Sequence, residues 1–248
     1  MRYMYVLLVV LCTTMSFAGT IDPQNSDKLY VEFGKKFPFI GQIYGSYEDE
    51  TLYSASGVAI DDHHVLTAAH IVDKAKAATF KINASEFTLE RIMIPKGFNI
   101  SKFGSSDIAL AYSKKPFNLD FYPELYKDNN EVGKTCSIAG YGFTGNFIVG
   151  SKTYDGKLRA GSNAVDSFEN DLLVCDASKK HSANFTHLEF LIASGDSGGG
   201  LFIDNKLAGI NSCVFGTTKS LMSKYNDKSG HTRVSSFIQW IERNKIVK

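Results

Sequence analysis

L-I-A-S-G-D-S-G-G-G-L, from Leu191 to Leu201, gathers four of the chain's 21 glycines around the pair Asp196-Ser197. Glycine adopts backbone conformations closed to other residues, so this density marks a tight, open turn. The N–H groups of such a turn can face a point where negative charge develops. Ser197 is the candidate nucleophile, and the amides of Gly195 and Ser197 are the candidate oxyanion donors.

A serine hydroxyl is a weak nucleophile unless a histidine takes its proton and a carboxylate holds that histidine in one tautomer. Both partners stand upstream in suitable settings. His70 closes V-L-T-A-A-H, an apolar strand running into a small-residue turn, and Asp107 opens D-I-A-L-A-Y, a strand that begins with a carboxylate. His63, His64, His181 and His187 have no companions at metal-ligand spacing and read as surface or loop residues. No metal or other cofactor is expected.

These three blocks resemble those of the chymotrypsin/trypsin-like serine endopeptidases, in the same chain order. So do F-P-F-I at 37 to 40, C-S-I-A-G-Y-G at 136 to 142 and T-R-V-S-S-F-I-Q-W-I at 232 to 241. The resemblance implies an all-β fold of two packed six-stranded antiparallel β-barrels with a C-terminal α-helix. Barrel one would run over about 29–116, a connection over 117–131, and barrel two with the helix over 132–248. The implied activity is peptide-bond hydrolysis by His70, Asp107 and Ser197 through an acyl-enzyme. A silent binding protein on the same scaffold, and an acyl hydrolase acting on other substrates, are the competing functions.

The strand pattern can also be read directly. Short runs rich in Val, Ile, Phe and Tyr alternate with turn residues: 29–33, 39–44, 53–60, 65–67, 78–82, 87–94, 108–112, 135–139, 146–151, 171–175, 201–203, 207–214 and 221–222. Asp61-Asp62 reads as a solvated hairpin tip and Ala68 to Lys76 as a short helical turn. Val234, Phe237, Ile238 and Ile241 recur at helical spacing, with Thr232 or Ser235 able to cap that helix and Trp240 read as packing.

Met1-Arg2, the apolar run Tyr3 to Leu11 and Ser16-Phe17-Ala18 read as a signal peptide with cleavage after Ala18, an uncleaved membrane anchor being the alternative for a run that is short for a span, so the product is expected to be secreted or periplasmic. Residues 19–28 read as a mobile segment or short propeptide. A net charge of +1 without a basic stripe gives no reason to expect nucleic acid. The expected partners are a protein or peptide substrate and a protein inhibitor or activator, with no membrane after signal removal and a monomeric chain.

Without Cys12 the chain keeps Cys136, Cys175 and Cys213, enough for one bridge. By the resemblance, Ala55, Ile71 and Ile203 stand where relatives carry bridged cysteines, and this sparse bridging leans towards a bacterial source. Cys175 with Cys213 is the first pairing to consider, with Cys136 as an alternative partner and buried free thiols as another. Asn83 and Asn184 lie in glycosylation sequons.

The resemblance also implies that a freed apolar N-terminus pairs with Asp196. A cut after Lys28, freeing Leu29, lies close to Phe37-Pro38 for this role, and Gly19 looks a poor substitute; an internal partner is the other option. The specificity pocket would be built from Leu191, Ile192, Ser212, Cys213, Val214 and His231. Leu191 cannot pair a cationic side chain, which argues against Arg/Lys specificity. Val214 would narrow the pocket towards small or medium apolar residues, whereas His231 could instead serve an acidic one.

Overall fold

The computed structural model describes residues 19–102, 105–216 and 223–245. The expected leader 1–18 and the strand read at 221–222 lie outside them. Two seven-stranded antiparallel sheets dominate the fold. In the first, the neighbours run Ser85–Thr88, Ala75–Ile82, Ile40–Tyr47, Leu52–Ala59, His64–Thr67, Ala109–Tyr112 and Arg91–Met93. In the second they run Arg159–Ala164, Thr135–Gly140, Gly200–Ile203, Lys206–Phe215, Lys228–Arg233, Leu172–Asp176 and Ser167–Glu169. Each sheet thus carries one strand more than the six expected, a three-residue edge strand such as Arg91–Met93.

Each sheet curls around its own apolar filling. Ile43, Val65, Phe80, Phe87 and Phe117 pack inside the first, and Ile138, Leu173, Phe190 and Leu201 inside the second. A further cluster joins the two. Phe37 and Phe39 lie 5.0 and 5.5 Å from the ring of Phe202, beside Leu66, Leu110, Val234 and Ile241. Trp240 packs against this cluster, as read from the sequence. The C-terminal element starts as a 3-10 turn, Val234–Phe237, and continues as the helix Ile238–Asn244. Neither expected cap serves it: Thr232 Oγ1 donates to the Asp107 carbonyl, and Ser235 Oγ donates to Asn129 and Glu131.

Residues 19–28, read as mobile, are packed into the second half of the molecule. Thr20–Ile21 is a strand between Thr144–Asn146 and Phe190–Leu191, in a small sheet completed by Gly150–Thr153. Residues 29–33 are not a strand but part of the helix Asp27–Gly34. Tyr30, Phe33 and Gly34 share one face of it, and Tyr30 is fully buried in the second core while Leu29 stays exposed. A five-residue run of four apolar residues and Glu32 fits either period, and the i, i+3, i+4 face prevails because the core lies on one side only. Arg159 fastens this helix through paired hydrogen bonds to Asp27 and Asp155.

The tip at Asp61-Asp62 is less solvated than expected. Asp61 accepts from the backbone of His63 and His64 and from His64 Nδ1, and His64 is buried rather than a surface residue. The cysteines also part from the first expectation. Cys175 and Cys213 lie on strands separated by Lys228–Arg233, about 9–10 Å apart at two strand spacings and beyond disulfide reach. Cys136 and Cys175 are the close pair, with sulfurs 3.9 Å apart.

Truncating Tyr30 to Ala should lower unfolding free energy by roughly 3 kcal/mol in a denaturant titration, whereas Leu29→Ala should change it by less than about 0.5. Equal effects would mean that the 27–34 helix does not dock by the face described.

Candidate active site

The register of one strand pair brings His70 and Asp107 together. Thr67 pairs with Ala109, so the chain that leaves one strand towards His70 and the chain that enters the other from Asp107 meet at the same end of the sheet. His70 lies in the one-turn helix Ala69–Val72. Its Nδ1–H donates to Asp107 Oδ2 at 2.8 Å, and its backbone N–H donates to Oδ1 at 2.9 Å. Asp107 is also held by Ser212, whose Oγ–H donates to Oδ2 at 2.5 Å. Burial pushes the Asp107 carboxyl up, but the hydrogen bonds and charge of His70, with the Ser212 hydroxyl, outweigh it and hold the group below its usual range. An ionised carboxylate on Nδ1 leaves Nε2 as the basic nitrogen.

Ser197 enters from the other sheet, three residues before the strand Gly200–Ile203. Its Oγ donates at 3.4 Å to the carbonyl of Ser212, the residue whose side chain holds Asp107. Ser212 therefore touches both halves of the site, a role that its place in a pocket motif did not reveal.

The turn around Ser197 is tied down on every side. Ser56 N–H donates to the Ser197 carbonyl and Ser56 Oγ donates to the Gly195 carbonyl, each at 2.9 Å. Peptide planarity then orients the two candidate oxyanion amides. The Ser194 carbonyl accepts from Phe143 N–H, so the Gly195 N–H of the same peptide points the opposite way. The Asp196 carbonyl accepts from Gly199 N–H and Asn211 Nδ2, which turns the Ser197 N–H away from that side. Gly195 and Gly198 sit at φ +88° and +84°, where a side chain is strained.

Asp196 is buried on the far side of the turn. It accepts from Gly142 N–H at 2.8 Å, from Ala193 N–H at 3.1 Å and from the backbone N–H of Gly19. Burial pushes its carboxyl up to about 7 despite these donors.

A sequence model of the family described as Trypsin matches residues 32–241. The chain belongs to the trypsin family. It is 24% identical over 238 residues to the serine protease SSP1 of Scolopendra subspinipes, covering 84% of this chain and 79% of that protein. Among solved structures it is similar to HL collagenase, with a TM-score of 0.69, 22% identity and coverage of 86% of this chain and 95% of the other. It is also similar to neuropsin of mouse brain, with a TM-score of 0.65, 20% identity and coverage of 85% and 95%. Membership makes it a serine protease, with the two-barrel chymotrypsin-like fold. SSP1 comes from a centipede and neuropsin from a mouse, and neither lends support to the bacterial origin that the sparse cysteines suggested.

The residues assigned to this protease's specificity pocket do not stay together. Ser212 and Cys213 line a cleft of about 200 Å³ with His70, Asp107, Phe98 and Ile100. Burial pushes the Cys213 thiol up to about 12, so it stays protonated. Leu191 is buried in the strand paired with Thr20–Ile21 and packs with Phe147 and Tyr225. Ile192 belongs to the second core, and Val214 packs against that core. His231 is fully buried with both ring nitrogens engaged, by Asn211 and Ser229, and burial pushes it down to about 3. It carries neither charge nor a spare proton for an acidic substrate.

A methyl group at Gly198 would lie 2.1 Å from Thr67 Oγ1 and 2.2 Å from the Ser56 carbonyl. Gly198→Ala should therefore cost about 3 kcal/mol or more of stability and lower any Ser197-dependent hydrolysis at least about 100-fold, read by denaturation and peptide assays.

Proposed function

We propose that this chain is an exported endopeptidase that cleaves peptide bonds through His70, Asp107 and Ser197. The observation that carries the reading is the hydrogen-bonded line from His70 through Asp107 and Ser212 to Ser197, beside two oriented amides. His70 takes the proton of Ser197 Oγ as that oxygen attacks the carbonyl carbon. Asp107 stabilises the imidazolium, and the Gly195 and Ser197 amides receive the oxyanion. His70 then protonates the leaving amine, and water releases the acyl group by the same route in reverse. The cleft beside His70 is walled by Phe98, Ile100, Cys213 and the cationic Lys102, a lining that disfavours Arg or Lys before the cut. Export rests on the basic, apolar and small-residue pattern of residues 1–18. In an oxidising compartment Cys136 and Cys175 form the bridge.

Incubation with an unbiased peptide mixture, beside a Ser197→Ala control, should give serine-dependent cuts after apolar residues, identified by mass spectrometry. The same unreduced digest should contain a Cys136–Cys175 linked peptide. Absence of turnover from a chain beginning at Gly19 would instead favour a binding protein.

Maturation follows from the setting of Asp196. While the peptide bond before Gly19 is intact, Gly19 offers Asp196 only an amide, whereas cleavage after Ala18 offers an ammonium at the same place. Leader removal alone would then complete the site, without a separate propeptide. The exposure of Leu29 within a helix argues against a second cut there. A carboxyl raised from 3.8 to about 7 stabilises the fold fully below pH 4, and that contribution is lost as pH rises through 7. The loss is roughly 4 kcal/mol at 1.4 kcal/mol per pH unit. An ammonium restores the charged carboxylate, and the pair fails only above the raised pKa of the amine, beyond about 8. Glu189, which burial pushes up to about 7, weakens both forms alike over this range, so between pH 4 and 8 the uncut chain should lose more Tm than the chain starting at Gly19, which turns over substrate. Parallel Tm profiles would mean that Gly19 is not the partner of Asp196.

A further inference from the structure

A second histidine lies beneath the nucleophile turn, and its protonation can be deduced from its neighbours. Asn211 is fully buried on the strand Lys206–Phe215. One end of its side chain faces two carbonyls, of Ala139 at 3.0 Å and of Asp196 at 3.1 Å. Carbonyls only accept, so that end is the NH₂ group, and the oxygen Oδ1 faces His231 Nδ1 at 2.8 Å. His231 must therefore carry its proton on Nδ1. The bare Nε2 then accepts from Ser229 Oγ at 3.0 Å, a contact closer than the 3.4 Å from that hydroxyl to the Cys175 carbonyl.

The result is a directed chain of donors: Ser229 to His231, His231 to Asn211, Asn211 to the Asp196 carbonyl. That carbonyl belongs to the planar peptide whose other end is the Ser197 N–H, one of the two amides assigned to the oxyanion. The backbone of Asn211 grips the same turn, accepting from Gly198 N–H and donating to the Gly199 carbonyl. Glycine at 199 makes room, since a methyl group there would lie 2.8 Å from Asn211 Nδ2 and 2.3 Å from the Ala139 carbonyl. A methyl group at Gly209 would in turn press on His231 Cβ at 3.0 Å.

We propose that Asn211 and His231 are positioning residues for the hydrolytic reaction, fixing the Asp196–Ser197 peptide so that the Ser197 amide meets the developing oxyanion. This inference rests on the peptide-hydrolysis reading above. Neither side chain contacts the reacting atoms, so the effect falls on the transition state and not on substrate binding.

The test compares His231→Phe, Asn211→Leu, the double variant and the conservative His231→Gln, whose amide can still donate to Asn211, in the chain starting at Gly19. The first two should lose about 10- to 100-fold in kcat with KM within about threefold, below the full loss of an oxyanion donor. The double variant should lose no more than the worse single one, and His231→Gln should recover most of the rate. Unchanged kcat in variants whose Tm shows them folded, or a loss confined to KM, would overturn the proposal. A second measurement reads the network directly: with the His231 signals assigned by their loss in His231→Gln, ¹⁵N-histidine NMR of the wild type at pH 7 should show that ring neutral and protonated on Nδ1, apart from His64 and His70, whose Nδ1 atoms face carboxylates. An Nε2-protonated or charged ring would break the donor chain and refute the inference. If the wild type turns over no peptide, the proposed function fails, while the NMR signal still decides the network.

Discussion

A carboxylate with no cationic side chain in hydrogen-bonding reach among the described residues lies at the junction of the protease's second sheet, its N-terminal strand and its nucleophile turn. Asp196 is enclosed by backbone, and the enclosure is possible only because side chains have been removed around it. A methyl group at Gly140 would come within 2.4 Å of its oxygen, one at Gly142 within 2.5 Å of its carboxyl carbon, and one at Gly19 within 2.9 Å of Oδ2. The glycines of C-S-I-A-G-Y-G are thus less a turn signal than a cavity cut to one carboxyl group. Their amides offset part of the desolvation, which still dominates. The site's geometry depends on how that residual deficit is met, because Asp196 and Ser197 share a peptide bond.

Around this point the two sheets contribute differently. The first supplies a base and its carboxylate through one strand register, a rigid arrangement with little local strain. The second supplies the nucleophile on a turn with two glycines at positive φ, held by side chains and backbone from both sheets. Ser56, on the first sheet, reaches two carbonyls of that turn, and Ser212, on the second, reaches the carboxylate of the first. These reciprocal contacts make the relative placement of the two halves a matter of hydrogen-bond geometry as well as of the apolar cluster around Phe202.

Much of this was legible in the sequence for an identifiable reason. His70, Asp107 and Ser197 stand in short motifs whose local structure is fixed by strand ends and glycine, so their meeting follows from motif chemistry. The residues that escaped act through long-range contacts from unremarkable surroundings. Ser56, Asn211 and Thr232 are ordinary polar residues in strands, and only the register shows what they reach. The strand Arg159–Ala164, R-A-G-S-N-A, lacks the β-branched and aromatic residues that mark strands, and its place is set by tertiary pairing with Thr135–Gly140. His231 was readable as a pocket residue for an acidic side chain, but its burial, and the tautomer set by Asn211 twenty residues away in sequence, come from strand pairing. The polar composition of 19–28 suggested mobility, whereas Thr20 and Ile21 are held by two strands distant in the chain.

That last arrangement bears on the order of events during folding. Thr20 pairs with Leu191 and donates to the carbonyl of Ser223, a separation of 203 residues. Contacts of such span are among the costliest in chain entropy and cannot form until nearly the whole polypeptide has emerged. The first described residues of the chain are therefore among the last to find their place. An enzyme organised this way acquires its final shape only as a whole, and a chain truncated during synthesis lacks the partner strand that its N-terminus needs. Completeness of the polypeptide becomes a condition of its competence, enforced by topology rather than by a separate inhibitor.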